Sequence, residues 1–225
     1  MIGALRSTVG VVSVGAALPD RIVTNEEISR RVDTSDAWIV ERTGIHERRV
    51  AADDELVADL GARAAEQALD RSGLAPADID LVVCATTSPD HYFPAAAVTI
   101  AERVGCHSAG AYDLAAACSG FSYAVAQAVS QLVSGLAQHA LVVGSDTLTK
   151  VIDPDDRGTC ILFGDGAGAV VLSTGAGPET TVGVELGADG SGAEHLFVRA
   201  LAPGGKFMEM NGREVFKFGA RVMVD

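Results

Sequence analysis

Residues 113–135, DLAAACSGFSYAVAQAVSQLVSG, constrain the fold more than any other stretch of this chain. Residues 111–117, apart from Tyr112 and Asp113, are small and apolar and follow the turn-like run 107–110, which predicts a short buried strand. From Ser119 the period changes: Phe121, Ala124, Val125, Ala128, Val129, Leu132 and Val133 recur at helical spacing, with almost no charge on the circumference. A helix that is apolar nearly all round belongs in an interior. Cys118 sits where strand gives way to helix, near unpaired N–H groups and the positive end of a helix dipole, a setting that favours the nucleophilic thiolate. Gly120 leaves room for an acyl group to approach the backbone, and N–H groups of the turn are placed to meet an oxyanion. The other reading of the same position is a small core cysteine.

A chain of 225 residues holds one large α/β domain or two small ones, and 48% hydrophobic residues with 5% aromatic ones describe a packed protein rich in Ala, Val and Gly. The net charge of -13, with no basic stripe, argues against a nucleic-acid partner. Residues 1–15 lack the pattern of a signal peptide, and every apolar run of membrane-spanning length is broken by Gly or a charge. The expectation is a cytoplasmic protein with no membrane partner. Cys84, Cys106, Cys118 and Cys160 show no CxxC spacing, so neither a metal site nor a disulfide framework is expected.

In chain order, residues 8–16 predict a Val-rich strand closed by Leu18-Pro19-Asp20, Thr24 or Asn25 caps a short helix, and Ser35 or Asp36 opens another. Trp38, the only tryptophan, lies beside Arg42, Arg48 and Arg49, which suits a flat ring and a phosphate-bearing ligand; a ring plugging the core edge beside solvated arginines is the alternative. Residues 54–72 predict an amphipathic helix stopped by Gly73, and residues 81–85 a strand buried on both faces. The loop 86–94 follows at that strand's carboxyl end, where ligands of α/β sheets gather. His91 in this loop reads as solvated, because nothing local orients it. Residues 95–103 predict a helix and 140–144 a buried strand, with a polar turn at 153–158. Residues 159–163 and 167–173 read as two strands joined by a tight turn at the glycine cluster 164–168, which lacks the Lys-Ser/Thr and helix of a phosphate loop. The alternation implies a mostly parallel sheet with helices on both faces.

Three stretches carry a family resemblance: AAACSGF at 115–121, TSDAWIVERTGIHERR at 34–49 and DRGTCILFGDGAGAVVL at 156–172. In this order they resemble the nucleophile, coenzyme A and later strand-turn-strand segments of the thiolase-fold condensing enzymes, in particular the β-ketoacyl-[acyl-carrier-protein] synthase III group. The resemblance implies an α/β thiolase-like fold of αβαβα layers, with the first half complete over 1–174 and the second only begun over 175–225. It makes Cys118 the acyl-accepting nucleophile. Positions matching Trp38 and Arg157 hold the adenine of coenzyme A between them, and those matching Thr34 and Arg42 meet its phosphate-bearing end. Phe163 matches a residue lining the acyl pocket. Phe93 matches one that crosses a dimer interface and closes the far end of the partner's pocket; anchoring its own core is the alternative.

The reaction so implied transfers a short acyl group from acyl-coenzyme A to Cys118 and then to malonyl-acyl-carrier-protein, with no metal and no cofactor beyond the thioester substrate, in a homodimer. The family's second half supplies a histidine and an asparagine for decarboxylation. His46, His107, His139 and His195 match no such position, and the expectation is that these 225 residues are a fragment. Other thiolase-fold coenzyme A enzymes are the nearest alternative, but hydroxymethylglutaryl-coenzyme A synthases carry an acidic residue where this chain has Thr86-Thr87-Ser88. A non-catalytic acyl-coenzyme-A-binding module is the alternative from another class.

Overall fold

The computed structural model describes residues 2–178, 180–199 and 207–222. The elements, in order, are β1 (Ile2–Ser7), β2 (Gly10–Ala17), β3 (Arg21–Thr24), α1 (Asn25–Ser29), α2 (Asp36–Thr43), β4 (Glu47–Val50), α3 (Val57–Ser72), β5 (Leu81–Ala85) and α4 (Ala96–Arg103). There follow β6 (Gly110–Leu114), α5 (Gly120–Val133), β7 (His139–Thr147), α6 (Arg157–Cys160), β8 (Asp165–Ser173), β9 (Thr180–Glu185), β10 (Leu196–Val198), β11 (Met208–Met210) and α7 (Gly212–Val222). The chain divides into two compact units, one of Met1–Asp20, Ala51–Thr147 and Asp165–Leu186, the other of Arg21–Val50, Leu148–Gly164 and Gly187–Asp225.

The first unit is built on a five-stranded sheet of order β2-β8-β7-β5-β6. β5 runs parallel to both β6 and β7, whereas β8 runs antiparallel to both β7 and β2. Side chains alternate across it with the period of two that strands impose. Val82, Cys84, Leu141, Val143, Ala169 and Val171 join the face covered by α3 and α4. Leu81, Val83, Ala85, Ala140, Val142 and Leu172 join the face covered by α5. Both faces are covered, which is why β5 is buried at every position and reads as an uninterrupted apolar run. β9 pairs antiparallel with β1.

The helix α3 lies so close to β2 that Ser13 donates to Ala68 O at 2.6 Å and Ala16 N–H to the Gln67 side chain at 3.0 Å. The approach requires glycine at position 15: a Cβ there would stand 2.1 Å from Ala64 O and 2.7 Å from Ala68 N. These are helix backbone atoms that cannot swing aside. Gly15→Ala is therefore expected to cost about 2 kcal/mol by overpacking and to lower the thermal midpoint by about 4–8 °C, read by circular dichroism. An unchanged midpoint would show that α3 shifts freely on the sheet.

In the second unit β3 and β4 form an antiparallel pair beside α1 and α2, and Val23, Ile28, Ile39, Cys160 and Ile161 make its core. Thr24 and Ser35 cap the two helices as the sequence indicates. Arg48 corrects an expectation. Rather than flanking a ligand beside Trp38, it is buried and donates to Val23 O, Asn25 Oδ1 and Ile161 O at 3.1, 2.8 and 3.1 Å. Burial among these neutral oxygens pushes its pKa down from the usual guanidinium range.

Residues 159–163 correct a second one, since they form no strand. Asp156 accepts from Gly158 N–H and from the Thr159 hydroxyl, both at 2.8 Å, and starts α6 instead. Thr159, Cys160 and Ile161 then turn inward together. The glycine cluster 164–168 is neither a tight turn nor a phosphate loop, because Asp165 to Gly168 already belong to β8 and pair with β7. Gly164 has a different reason to be glycine: a Cβ would meet Arg48 Cβ at 3.0 Å and Arg49 O at 3.1 Å. In the stretch 175–225, read as the opening of the second half, α7 runs to Val222, while Glu179 and residues 223–225 lie outside the described residues.

Candidate active site

β6 ends at Leu114, three residues before the predicted end of that strand, and the chain turns through Ala115–Ala117 into α5. Ala117 has φ of 46°, a left-handed conformation that Cβ makes unfavourable by about 1–2 kcal/mol. A non-glycine residue held there, one position before the candidate nucleophile, marks a turn whose shape the surrounding fold imposes. Cys118 is exposed at its apex, beneath the N-terminus of the 14-residue α5, while Cys84, Cys106 and Cys160 are buried. The core-cysteine reading of Cys118 is thereby overturned. Of the N–H groups of the turn, that of Ser119 donates to Ala116 O at 3.2 Å and that of Gly120 to Ala117 O. They face inward, which leaves the Cys118 N–H without a partner among the described residues.

The loop after β5 begins beside Asp146, near the carboxyl end of β7. The Asp146 Oδ1 accepts from Thr87 N–H at 2.7 Å and from the Ser88 hydroxyl at 2.8 Å, with the Thr87 hydroxyl, Ser88 N–H and Thr86 hydroxyl at 3.0, 3.1 and 3.2 Å. Asp90, further along, accepts from Val57 N–H and Ala58 N–H at the start of α3, at 2.8 and 3.0 Å. Asp113 of β6 accepts from Ala96 N–H and Ala97 N–H at the start of α4, at 2.7 and 2.8 Å. Between these ties Phe93 stands 85% exposed, so it does not anchor its own core. Sequence reasoning missed all three aspartates. Their common signal is an acid at the carboxyl end of a strand or in the loop that follows one, but only the fold shows which amides they meet.

In the second unit Trp38 rests against the Val23–Ile39–Ile161 core and carries the Arg42 guanidinium 4.2 Å and the Arg157 guanidinium 5.1 Å from its ring centroid. Arg157 also donates to Asp33 O at 3.0 Å. The hydroxyl of Thr34 is buried and has no hydrogen-bond partner. Arg42, one turn along α2, and Arg157, far away in sequence, thus meet around the Trp38 ring. A planar base between Trp38 and Arg157 needs two stacking intervals of roughly 3.5 Å, so Arg157 must withdraw by about 2 Å to admit it. Phe163 is half-buried in the turn that follows α6.

None of the histidines stands at Cys118 by any contact described. His107 Nδ1 meets Glu102 at 3.0 Å, His139 Nδ1 meets the Ser173 hydroxyl at 2.8 Å, and His46 and His91 are exposed. Among the described residues no group of three or more His, Cys, Asp or Glu side chains is placed to hold a metal ion, and no helix is long and apolar enough to cross a membrane.

Against the expectation of an interior helix, α5 buries one face only, with Phe121 and Val133 each 39% exposed. The sheet covered by helices on both faces, with its exposed cysteine turn at the head of α5, has the architecture of a thiolase-like protein. The solved β-ketoacyl-[acyl-carrier-protein] synthase III of Thermus thermophilus superposes with a TM-score of 0.85 at 44% identity, over 95% of this chain and 68% of that one. Residues 112–190 match the family described as 3-oxoacyl-[acyl-carrier-protein (ACP)] synthase III. Curated proteins named β-ketoacyl-[acyl-carrier-protein] synthase III from Deinococcus deserti and from a Chelativorans strain are each 48% identical, over 99% and 98% of this chain. The chain spans 65% of the first and 70% of the second. The chain belongs to the β-ketoacyl-[acyl-carrier-protein] synthase III family.

Proposed function

We propose that this protein starts acyl-chain synthesis by condensing a short acyl group with malonyl-acyl-carrier-protein, through an acyl-thioester on Cys118. The observation that carries the reading is the exposed Cys118 at the head of α5, on a turn held in shape by Ala117, in a chain of this family. The Cys118 thiolate attacks the thioester carbonyl of acyl-coenzyme A, and the tetrahedral oxyanion is met by the Cys118 N–H. The carbon–sulfur bond to coenzyme A then breaks and coenzyme A leaves as its thiolate. In the second half-reaction malonyl-acyl-carrier-protein loses carbon dioxide. The electron pair of the broken carbon–carbon bond attacks the acyl carbon, and Cys118 departs as thiolate.

Thr34, Trp38, Arg42 and Arg157 are the coenzyme A contacts in this reading, and Phe163 and Phe93 border acyl pockets. The exposure of Phe93 supports its reaching a second copy, in a cytoplasmic homodimer. Residues 1–174 form the nucleophile-bearing half and 175–225 open the other. Incubation with labelled acetyl-coenzyme A tests the proposal. A covalent acyl group recovered on the peptide bearing Cys118 is expected, and reversible binding without an adduct would support the binding-module reading instead.

Trp38→Ala is expected to weaken coenzyme A binding by about 1–2 kcal/mol, about 5- to 30-fold in Kd by calorimetry, while iodoacetamide labelling of Cys118 is unchanged. An unaltered Kd would leave the ring as a cover for the core it rests on.

A further inference from the structure

The loop between β5 and α4 is tied to the fold at its start by Asp146, in its middle by Asp90 and at its end by Asp113. The three ties differ in kind. Asp90 and Asp113 meet the first free N–H groups of α3 and α4, so each serves a helix and would be wanted whatever the loop did. Asp146 serves no helix. All five of its donors come from Thr86, Thr87 and Ser88 and converge on one oxygen. A carboxylate oxygen offers roughly two lone-pair directions, so five donors share it in multi-centred bonds that a charged acceptor favours. Ser88 closes the arrangement, since its hydroxyl also accepts from Thr147 N–H at 2.9 Å.

The position of Asp146 follows from the sheet. β5 ends at Ala85 opposite Gly144, and β7 continues to Thr147 because β8 pairs with it that far, Asp146 lying opposite Gly166. The acid is thus carried two residues past the end of β5, level with the first residues of the loop. Tyr92 and Phe93 project from the same loop, 71% and 85% exposed. The Phe93 ring, so far exposed, depends for its place on the backbone beneath it.

We infer that Asp146 is a positioning residue for acyl-chain selection: it holds the base of the loop so that Phe93 presents a fixed floor to an acyl pocket. The inference rests on the reading of Phe93 as that floor. Loss of the Asp146 carboxylate removes both Thr87 bonds and leaves the root of the loop on Thr86 N–H to Leu114 O at 3.3 Å, Ser88 N–H to the Thr86 hydroxyl at 3.2 Å and Thr147 N–H to the Ser88 hydroxyl. The loosened root lets the ring yield and admits longer chains without any change at Phe93.

The experiment compares wild type, Phe93→Thr, Asp146→Ala and Asp146→Asn as the native gene product, by the rate of Cys118 acylation with acetyl-, octanoyl- and dodecanoyl-coenzyme A. Amide hydrogen exchange at Thr87 and Ser88 is read on the same proteins. Asp146→Ala is expected to raise the octanoyl-to-acetyl ratio about tenfold, the gain for admitting two methylenes, and to speed exchange at both amides. Asp146→Asn keeps an oxygen where the five donors converge but not its charge, so its ratio and exchange should fall between those of wild type and Asp146→Ala. A purely structural role predicts a uniform loss of rate with every chain length, which overturns the inference. A broadened range in Phe93→Thr without one in Asp146→Ala also overturns it, and leaves Phe93 as the floor. If Phe93→Thr leaves the range unchanged, the floor reading falls and chain selection by Asp146 falls with it.

Discussion

Cys118→Ala is expected to lower acyl transfer from acetyl-coenzyme A by at least about 10⁴-fold, to the level of uncatalysed exchange, with the fold intact. The size of the effect comes from the chemistry, since no other exposed thiol among the described residues can accept the acyl group. Alanine at the head of α5 removes no packed group, because the Cys118 side chain is exposed. Iodoacetamide provides the companion measurement on wild type: Cys118 should label first, and Cys84, Cys106 and Cys160 only on unfolding. Acyl transfer retained in Cys118→Ala, or four thiols labelled at one rate, would remove the nucleophile from this turn.

The three buried thiols make the fold sensitive to alkali. Burial pushes Cys106 up to about 11 from 9.0. Burial raises Cys84 further, with the negative charges of Asp113, Asp146 and Asp90 acting in the same sense, and raises Cys160 against the opposing charges of Arg48 and Arg31. Each native pKa lies above its unfolded value, so the stabilisation is complete below about pH 9 and is lost as pH rises through the native pKa. In that window the unfolded chain has released protons that the native one retains, and stability falls by up to about 1.4 kcal/mol per pH unit for each thiol. For Cys84 and Cys106 together the loss is about 3 kcal/mol between about pH 9 and pH 10.5. Urea unfolding at several pH values should show this slope in wild type and a much shallower one in the double variant Cys84→Ala/Cys106→Ala. Equal slopes would assign the alkaline loss to other groups.

The turn bearing Cys118 was legible because strand, cysteine and helix follow one another within a few residues, and strand and helix each have their own period. The same holds for α3 with its stop at Gly73, for β5 as an apolar run, and for the caps Thr24 and Ser35. Residues 159–168 were not legible. Apolar residues beside a glycine cluster fit a hairpin, but the Asp156 cap and the pairing of Asp165 with Thr147 decide otherwise. Arg48 shows the same limit for a charge: position beside Trp38 in sequence says nothing of the carbonyl oxygens of Val23 and Ile161 that draw it inward.

What the sequence by itself determined is therefore the alternation of strands and helices, the burial of β5 and of the centre of β7 but not of β6, which has no buried residue, the place of Cys118 at a strand-to-helix junction and the family to which its motifs belong. These are local properties, set by the hydrophobic period and by residues a few positions apart. Only the tertiary structure decided that β8 runs antiparallel inside the sheet, that the carbonyl oxygens of Val23 and Ile161 draw Arg48 inward, that Ala117 is held at a positive φ, and that Asp146 secures the loop bearing Phe93. Each of these depends on a partner distant in the chain, and hydrogen-bond or packing partners at that separation leave no period to read.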